Sequence, residues 1–215
     1  DLVLGAKLAS AIGAWLAFAG SYLFLLWRRV RRAYWWTIAL LAGAPGFLYR
    51  MEMPRVQSLS LLFLVAALAL LTSRRFVWLV PLMWLYTWLN DAFPLLLAMC
   101  ACASLAEVIT ERTFPLAPLG YGLLGAAGGL LVNPYFPHDL QFIAVHFATK
   151  LNLDDSIPVG AEWYLIPLTE WLGWPGLLAI LCGLGALVLH HRREIDRERL
   201  TSVLVAALFL ALMWR

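Results

Sequence analysis

Charge is what this sequence has least of. Of 215 residues 13% are Asp, Glu, Lys or Arg, and 63% are hydrophobic; soluble domains run at roughly 25% and 45–50%. With a mean hydropathy of +0.80, that shortage excludes a water-soluble globular domain. Cysteine is scarce too: Cys100 and Cys102 fall in one apolar run and Cys182 in another. A thiol there behaves as a small buried hydrophobe, so neither a disulfide nor a thiolate metal centre is expected. A phosphate-cradling glycine loop, a nucleophile elbow and a paired metal motif are all missing, which removes the common soluble chemistries. There is also no extended basic tract. The arginines sit in short clusters between apolar runs, where they cap helices, so no nucleic-acid partner is expected. The chain opens on Asp1 and stops at Met213-Trp214-Arg215, which reads as a fragment of a longer membrane protein, or as a start left by signal-peptide cleavage.

What the sequence does have is apolar runs and aromatics. A bilayer-spanning helix needs roughly 20 apolar residues, with about 17 tolerated, and must satisfy its backbone hydrogen bonds internally. The runs are Leu2 to Trp27, Tyr34 to Leu48, Ser58 to Thr72, Phe76 to Leu89, Phe93 to Ile109, Ala117 to Val132, Pro175 to His190 and Leu200 to Trp214. Several are short for a full crossing, so flanking Tyr, Trp and Arg or burial in a bundle must complete them. Among 11 tryptophans, Trp27, Trp35, Trp36, Trp78, Trp88, Trp174 and Trp214 flank these runs, as interfacial aromatics do. The expected fold is all-α: a polytopic transmembrane helix bundle of about eight helices, forming a single, incomplete domain over residues 1–215 that sits in a lipid bilayer.

Orientation follows from the excess of Lys and Arg in short cytoplasmic loops. If the Arg28-Arg29-Val30-Arg31-Arg32 cluster is cytoplasmic, alternation of spans brings Arg74-Arg75, Glu111-Arg112 and the stretch Arg192 to Arg199 to the same side. Those loops hold eleven of the 16 basic residues. The opposite side then carries Glu52, Asp91, Asp139, Asp154, Asp155, Glu162 and Glu170. Residues 133–174 form its long loop. Within it, Leu140-Gln141-Phe142-Ile143-Ala144-Val145-His146-Phe147 repeats apolar residues at helical spacing, so an interfacial helix followed by a compact loop is expected. The stretch is too apolar for disorder.

The candidate functional residues lie on this second side. Arg50 and Arg55 bracket Pro54 in Tyr49-Arg50-Met51-Glu52-Met53-Pro54-Arg55. They read either as interfacial snorkelling and an Arg–Glu pair or as an anion site, because the planar guanidinium fork suits phosphate. Asp91, in Trp88-Leu89-Asn90-Asp91-Ala92-Phe93-Pro94, reads as a helix cap or as an acid in an aromatic sugar pocket. The small-residue run Gly125-Ala126-Ala127-Gly128-Gly129 permits close helix packing. After it, Asn133-Pro134-Tyr135-Phe136-Pro137-His138-Asp139 makes a rigid exit from the membrane. His138, Asp139 and His146 do not have a recognised metal-ligand spacing, so placement of the interfacial helix is the leading role there. Glu162, in Gly160-Ala161-Glu162-Trp163-Tyr164, reads as an acid for sugar binding or proton transfer, or as a structural hydrogen-bonding group. Asp154-Asp155 offers a place for a divalent cation or is a solvated acidic turn; no other cofactor is expected.

Together these segments resemble the polytopic, lipid-sugar-dependent glycosyltransferases of the GT-C type, in an uncharacterised bacterial branch. The order agrees over about residues 45 to 172: an Arg and Ser helix start at Arg50 to Leu62, a Trp-rich helix ending in Asn90-Asp91, an Asn133-Pro134-Tyr135 exit and a Glu162-Trp163-Tyr164 loop. The resemblance implies a multi-pass protein of the bacterial inner membrane with an extracytoplasmic active site. The donor would be a polyprenyl-phosphate sugar, its phosphate held by Arg50 or Arg55, with Asp91 and Glu162 as catalytic candidates and Asn133 and His138 as substrate-binding ones. The family's catalytic acid usually sits in the first extracytoplasmic loop. This chain has no such loop, in keeping with a fragment that begins after it. The competing expectation is a non-catalytic transmembrane subunit packed in a larger membrane complex. A transporter is disfavoured, because Lys7 and Glu107 read as near helix ends and no internal repeat is evident.

Overall fold

A computed structural model of the chain describes residues 1–42, 51, 56–111, 115–152 and 196–213. All regular structure among the described residues is helical. The α-helices are α1 Leu2–Trp27, α2 Ala33–Ala42, α3 Gln57–Thr72, α4 Leu79–Leu89, α5 Phe93–Glu111, α6 Ala117–Leu131, α7 His138–Asn152 and α8 Arg197–Met213. A 3₁₀ turn, Phe76–Trp78, leads into α4. Six of the apolar runs coincide with helices, Tyr34 to Leu48 does so as far as Ala42, beyond which it lies outside the described residues, and Pro175 to His190 lies outside them altogether. The helical stretch expected at Leu140 to Phe147 is part of α7. Two helices, over Leu4–Trp27 and Phe93–Glu111, are by themselves long and apolar enough to cross a membrane; α3, α6 and the Phe76–Leu89 stretch are shorter apolar helices.

The chain divides into two compact units, the first containing Asp1–Arg75 and the second beginning at Phe76. In the first, α1 packs on α3 through small residues. Ser10, Gly13, Ala17 and Ser21 are buried on α1, and Ser58, Leu64, Ala67 and Leu71 on α3. A Cβ added at Gly13 would meet Ser58 and Leu59, and one at Gly20 would meet Leu62. Contact numbers rise together along both helices, so α1 and α3 run parallel.

The second unit centres on α4, α5 and α6, with Leu79, Met83, Tyr86, Leu96, Met99 and Cys100 fully enclosed. Gly125 of α6 lies against Val80 and Met83, Gly128 against Trp84, and Gly129 against Trp84 and Thr87. Here too the numbers rise together, so α4 and α6 are parallel, and α5, which joins them in sequence, runs back the other way. Gly122, early in α6, meets Leu97 and Cys100 midway along α5. Glycines at these positions let the helix backbones approach without intervening side chains, as Gly125 does opposite the Val80 carbonyl.

Both seams invert the usual arrangement of a soluble domain. On α1 the buried serines, glycine and alanine occupy one face, and Leu4, Leu8, Ile12, Trp15, Leu23 and Leu26 occupy the opposite one, all of them exposed. On α6 Gly122, Gly125 and Gly129 are inside and Leu123, Leu124 and Leu131 outside. Hydroxyls on these helices bond back to their own backbone. Ser10 donates to Ala6 O at 3.0 Å, Ser21 to Ala17 O at 2.8 Å, Thr72 to Leu68 O at 2.8 Å and Thr87 to Met83 O at 2.8 Å. A hydroxyl with no water to reach is satisfied in this way within its own helix.

Helix α1 ends because the apolar run meets four arginines, and the ending has a defined geometry. Val30 N donates to Leu25 O and Arg29 N to Leu26 O, with Arg29 in the left-handed region at φ 53°. That is a Schellman motif, whose left-handed residue is usually glycine. α3 ends the same way: Arg75 N donates to Leu70 O, Arg74 N to Leu71 O, and Arg74 has φ 58°. An L-residue there costs roughly 1–2 kcal/mol. A cation beside the last carbonyls recovers about 0.3–1 kcal/mol from the helix dipole. Because α1 and α3 are parallel, both arginine-bearing ends lie at one end of the first unit.

Candidate functional site

The second unit has two chemically distinct ends. At one, the C-terminal part of α5 meets the start of α8. Arg197 Nη1 donates to Glu107 Oε1 at 2.8 Å, with the side chains 5% and 4% exposed. Arg197 Cζ also lies 5.9 Å from the centre of the Phe76 ring. Asp196 caps α8 by accepting from Arg199 N at 2.9 Å, and Thr201 donates to Arg197 O at 2.8 Å. An Asp at this position satisfies an otherwise open amide of the first helical turn. The sequence reading placed Arg197 in a cytoplasmic loop and Glu107 near a helix end. In the structure Glu107 is near the end of α5, Arg197 is the first residue of α8, and the two form one enclosed ion pair.

At the other end, α4 stops, α5 starts and α6 stops. Trp88 crosses from α4 to donate its indole N–H to Gly129 O at 2.7 Å, which ties the two parallel helices together just below their ends. Asn90 follows in extended backbone at φ −153°, ψ 137°. Its side-chain oxygen accepts from Ala92 N at 3.2 Å, and Pro94 sits in the first turn of α5. Asn133 repeats the device after α6: its side-chain oxygen accepts from Tyr135 N at 3.0 Å, and its carbonyl from Phe136 N at 3.0 Å. Each asparagine builds an Asx turn, so the polar residue reaching into the tight connection is also what makes it. Asn90 supplies a turn-building side chain at the junction where a cap was expected of Asp91, and Asp91 itself is half-buried in the connection.

Of the sequence candidates, Asp91 and Asn133 are thus brought to the same end of this unit, and His138 follows as the exposed first residue of α7. Arg50, Arg55 and Glu162 lie outside the described residues, as do Asp154, Asp155, Cys182, Arg112, Arg192 and Arg193. The side chain of His146 is likewise outside them. Among the described residues no group of three His, Cys, Asp or Glu could hold a metal ion.

The residue that sequence reasoning undervalued is Asp139. It lies in the first turn of α7, with its amide donating to Tyr135 O at 3.2 Å. Both of its carboxylate oxygens are enclosed and, among the described residues, have no hydrogen-bond partner. Buried polar atoms are nearly always paired, so an enclosed carboxylate lacking partners is either a functional group or a costly one. Its negative charge is placed favourably at a helix N-terminus. The sequence carried a weak signal: an acid two residues after Pro137, at the start of an apolar amphipathic stretch. Beyond it, α7 holds Phe142 and Val145 outward at 62% and 66% exposure, as a helix lying in a membrane interface does.

Comparison with protein-family models, with curated proteins and with solved structures finds no match to this chain.

Proposed function

We propose that the chain is a polytopic membrane protein whose reactive face is the asparagine-capped end of the second unit. Two observations support the membrane reading. The exposed faces of α1 and α6 are leucine-rich while their buried faces are glycine, serine and alanine, and the hydroxyls are closed onto their own helices. A soluble core helix would be mostly enclosed; only 22% of the best α1 window is. With the positive-inside rule, the arginine-bearing ends are cytoplasmic and the Asn90, Asn133 and Asp139 end faces the opposite compartment.

The reaction we assign to that end is glycosyl transfer from a polyprenyl-phosphate sugar, the chemistry implied by the resemblance to GT-C-type enzymes. The observation that carries it is the enclosed carboxylate of Asp139, which has no hydrogen-bond partner among the described residues and follows the end of the second unit bearing the Asn-Asp-Ala-Phe-Pro and Asn-Pro-Tyr motifs. In such a transfer an acceptor hydroxyl attacks the anomeric carbon, a carboxylate takes the hydroxyl proton, and polyprenyl phosphate leaves. Asp139 joins Asp91 and Glu162 as candidates for that base. Arg50 and Arg55 are the residues suited to the departing phosphate, and His138 and Asn133 to the sugar. Trp88 supplies an aromatic wall of the kind pyranose rings stack on.

A second reading, a non-catalytic subunit of a membrane complex, is favoured by the asparagines, whose side-chain oxygens are used to build their own turns. The test is sugar transfer by the full-length protein in membranes supplied with a radiolabelled polyprenyl-phosphate sugar. Asp139→Asn is expected to lower the rate roughly 10²–10⁴-fold, the usual worth of a positioned acid or base, with little change in melting temperature. Undiminished transfer by Asp139→Asn would remove that residue from the chemistry. Undiminished transfer by Arg55→Ala and Glu162→Gln would remove those residues too, and no transfer by the native protein, with stoichiometric recovery in a larger complex, would establish the subunit reading.

A further inference from the structure

Between the end of α1 and the start of α2 the chain forms an open cleft of about 540 Å³ lined by Arg31, Arg32, Trp35 and Trp36. Its walls follow from the local backbone. Arg32 takes the left-handed conformation at φ 59°, and its carbonyl accepts from Trp35 N at 2.9 Å, so α2 begins with both tryptophans close behind the two arginines. All four side chains are exposed. Between Asp1 and Glu52 the sequence contains no acidic residue, and among the described residues neither Arg31 nor Arg32 has an ion-pair partner. Arg28 is held elsewhere, its Cζ lying 5.6 Å from the Trp27 ring centre.

We propose that this cleft binds the phosphodiester headgroup of an anionic phospholipid. Guanidinium groups present planar forks matched to phosphate oxygens, and a basic cluster just beyond a membrane-crossing helix lies at headgroup depth. The surroundings select a lipid over a free phosphate. From the cleft an exposed apolar surface continues along α1 through Trp27, Leu26 and Leu23 and along α2 through Ile38 and Leu41. Acyl chains cover that surface, and a soluble anion leaves it bare. The tryptophans close the cleft at the level where indoles favour the boundary between headgroup and chain. The site needs only α1 in the membrane, and it stands or falls independently of any glycosyl transfer.

The test is native mass spectrometry of the full chain in a non-ionic detergent, titrated with dioctanoyl phosphatidylglycerol, dioctanoyl phosphatidylcholine or glycerol phosphate. Each arginine near a lipid surface is worth about fivefold in binding, so Arg31→Ala/Arg32→Ala should weaken phosphatidylglycerol binding roughly 30-fold, with Arg74→Ala/Arg75→Ala changing it by no more than about twofold. Arg31→Lys/Arg32→Lys, which keeps the charge, should stay within about fivefold of the native chain. Phosphatidylcholine should bind weakly and equally to all variants. The proposal is overturned if Arg74→Ala/Arg75→Ala loses as much, because the attraction is then diffuse surface charge. It is overturned equally if phosphatidylcholine binds as well as phosphatidylglycerol, if the lysine variant behaves as the alanine one does, or if glycerol phosphate displaces the lipid at equal concentration, which would make free phosphate the ligand.

Discussion

Replacing Gly125 by alanine should drive α4 and α6 apart, and the size of the effect can be worked from the backbone. The new Cβ would stand 2.5 Å from Val80 O, 2.8 Å from Met83 Cβ and 3.0 Å from Val80 Cα. Carbon atoms in contact sit about 3.5–4.0 Å apart, so the shortfall is on the order of 1 Å, and the obstructing atoms cannot rotate away. Opening a seam by that much forfeits roughly a quarter to a half of each dispersion contact along it. Overpacking of this kind costs about 1–3 kcal/mol, and contact with backbone puts it toward the upper end. Alanine recovers up to about 1 kcal/mol in helix propensity, which leaves a net loss of about 1–2 kcal/mol. Gly120, on the same helix, has nothing within 4 Å of its would-be Cβ, so Gly120→Ala should instead gain up to about 1 kcal/mol. The two substitutions are chemically identical, so the difference between them isolates space from propensity. Equilibrium unfolding of the full chain in mixed dodecyl maltoside and SDS micelles, followed by circular dichroism, measures both. If Gly125→Ala proves as stable as Gly120→Ala, the close approach of α4 and α6 is refuted.

Two further outcomes can be read in the same assay. Removing one partner of the enclosed pair, as Glu107→Ala or Arg197→Ala, should cost about 3–5 kcal/mol by stranding the other charge; Glu107→Leu/Arg197→Met should recover most of that, and purely additive losses would show that the two do not interact. At Arg29, glycine should change stability by less than about 1 kcal/mol, because relief of the left-handed backbone offsets the lost helix-end charge; valine, which is β-branched, should cost about 1–2 kcal/mol, and equal stabilities for the two would contradict the Schellman ending of α1.

Much of the helical layout was legible because apolar runs bounded by arginine or asparagine carry their own stop signals. The run read as Leu2 to Trp27 has the bounds of α1, since the cluster that follows cannot continue an apolar helix. The polar end of the second unit was legible too: the Asn90 and Asn133 motifs were expected on one side, and α4 and α6 end together. What stayed hidden depended on partners distant in sequence. Arg197 in a run of charged residues looks like any loop arginine, and only Glu107, 90 residues away, makes it an enclosed one. The signal lay in Glu107, a lone acid in Leu105-Ala106-Glu107-Val108-Ile109, because such a residue is retained in an apolar helix only with a counter-charge. Which of Asn90 and Asp91 closes the turn was equally unreadable, because both side chains suit that role.

The parallel seams bear on orientation without any appeal to charge. Two parallel helices joined by one chain require a return segment that covers their full length in the opposite direction. In the second unit α5 is that return, 19 residues between α4 and α6. In the first, α3, at 16 residues, is about 24 Å long and lies against α1 from Gly13 to Gly20. The ends of α1 and α3 therefore coincide because of glycine and serine packing, and the arginines after each helix are brought together as a consequence. The positive-inside rule reached the same grouping of Arg28 to Arg32 with Arg74 and Arg75 from charge counts alone. Helix packing and charge statistics rest on different physics, the first on how closely backbones approach and the second on how chains insert. In the second unit the same kind of packing sets the Asn90 and Asn133 end opposite the Glu107–Arg197 pair, because α5 starts at the first and buries Glu107 near its other end.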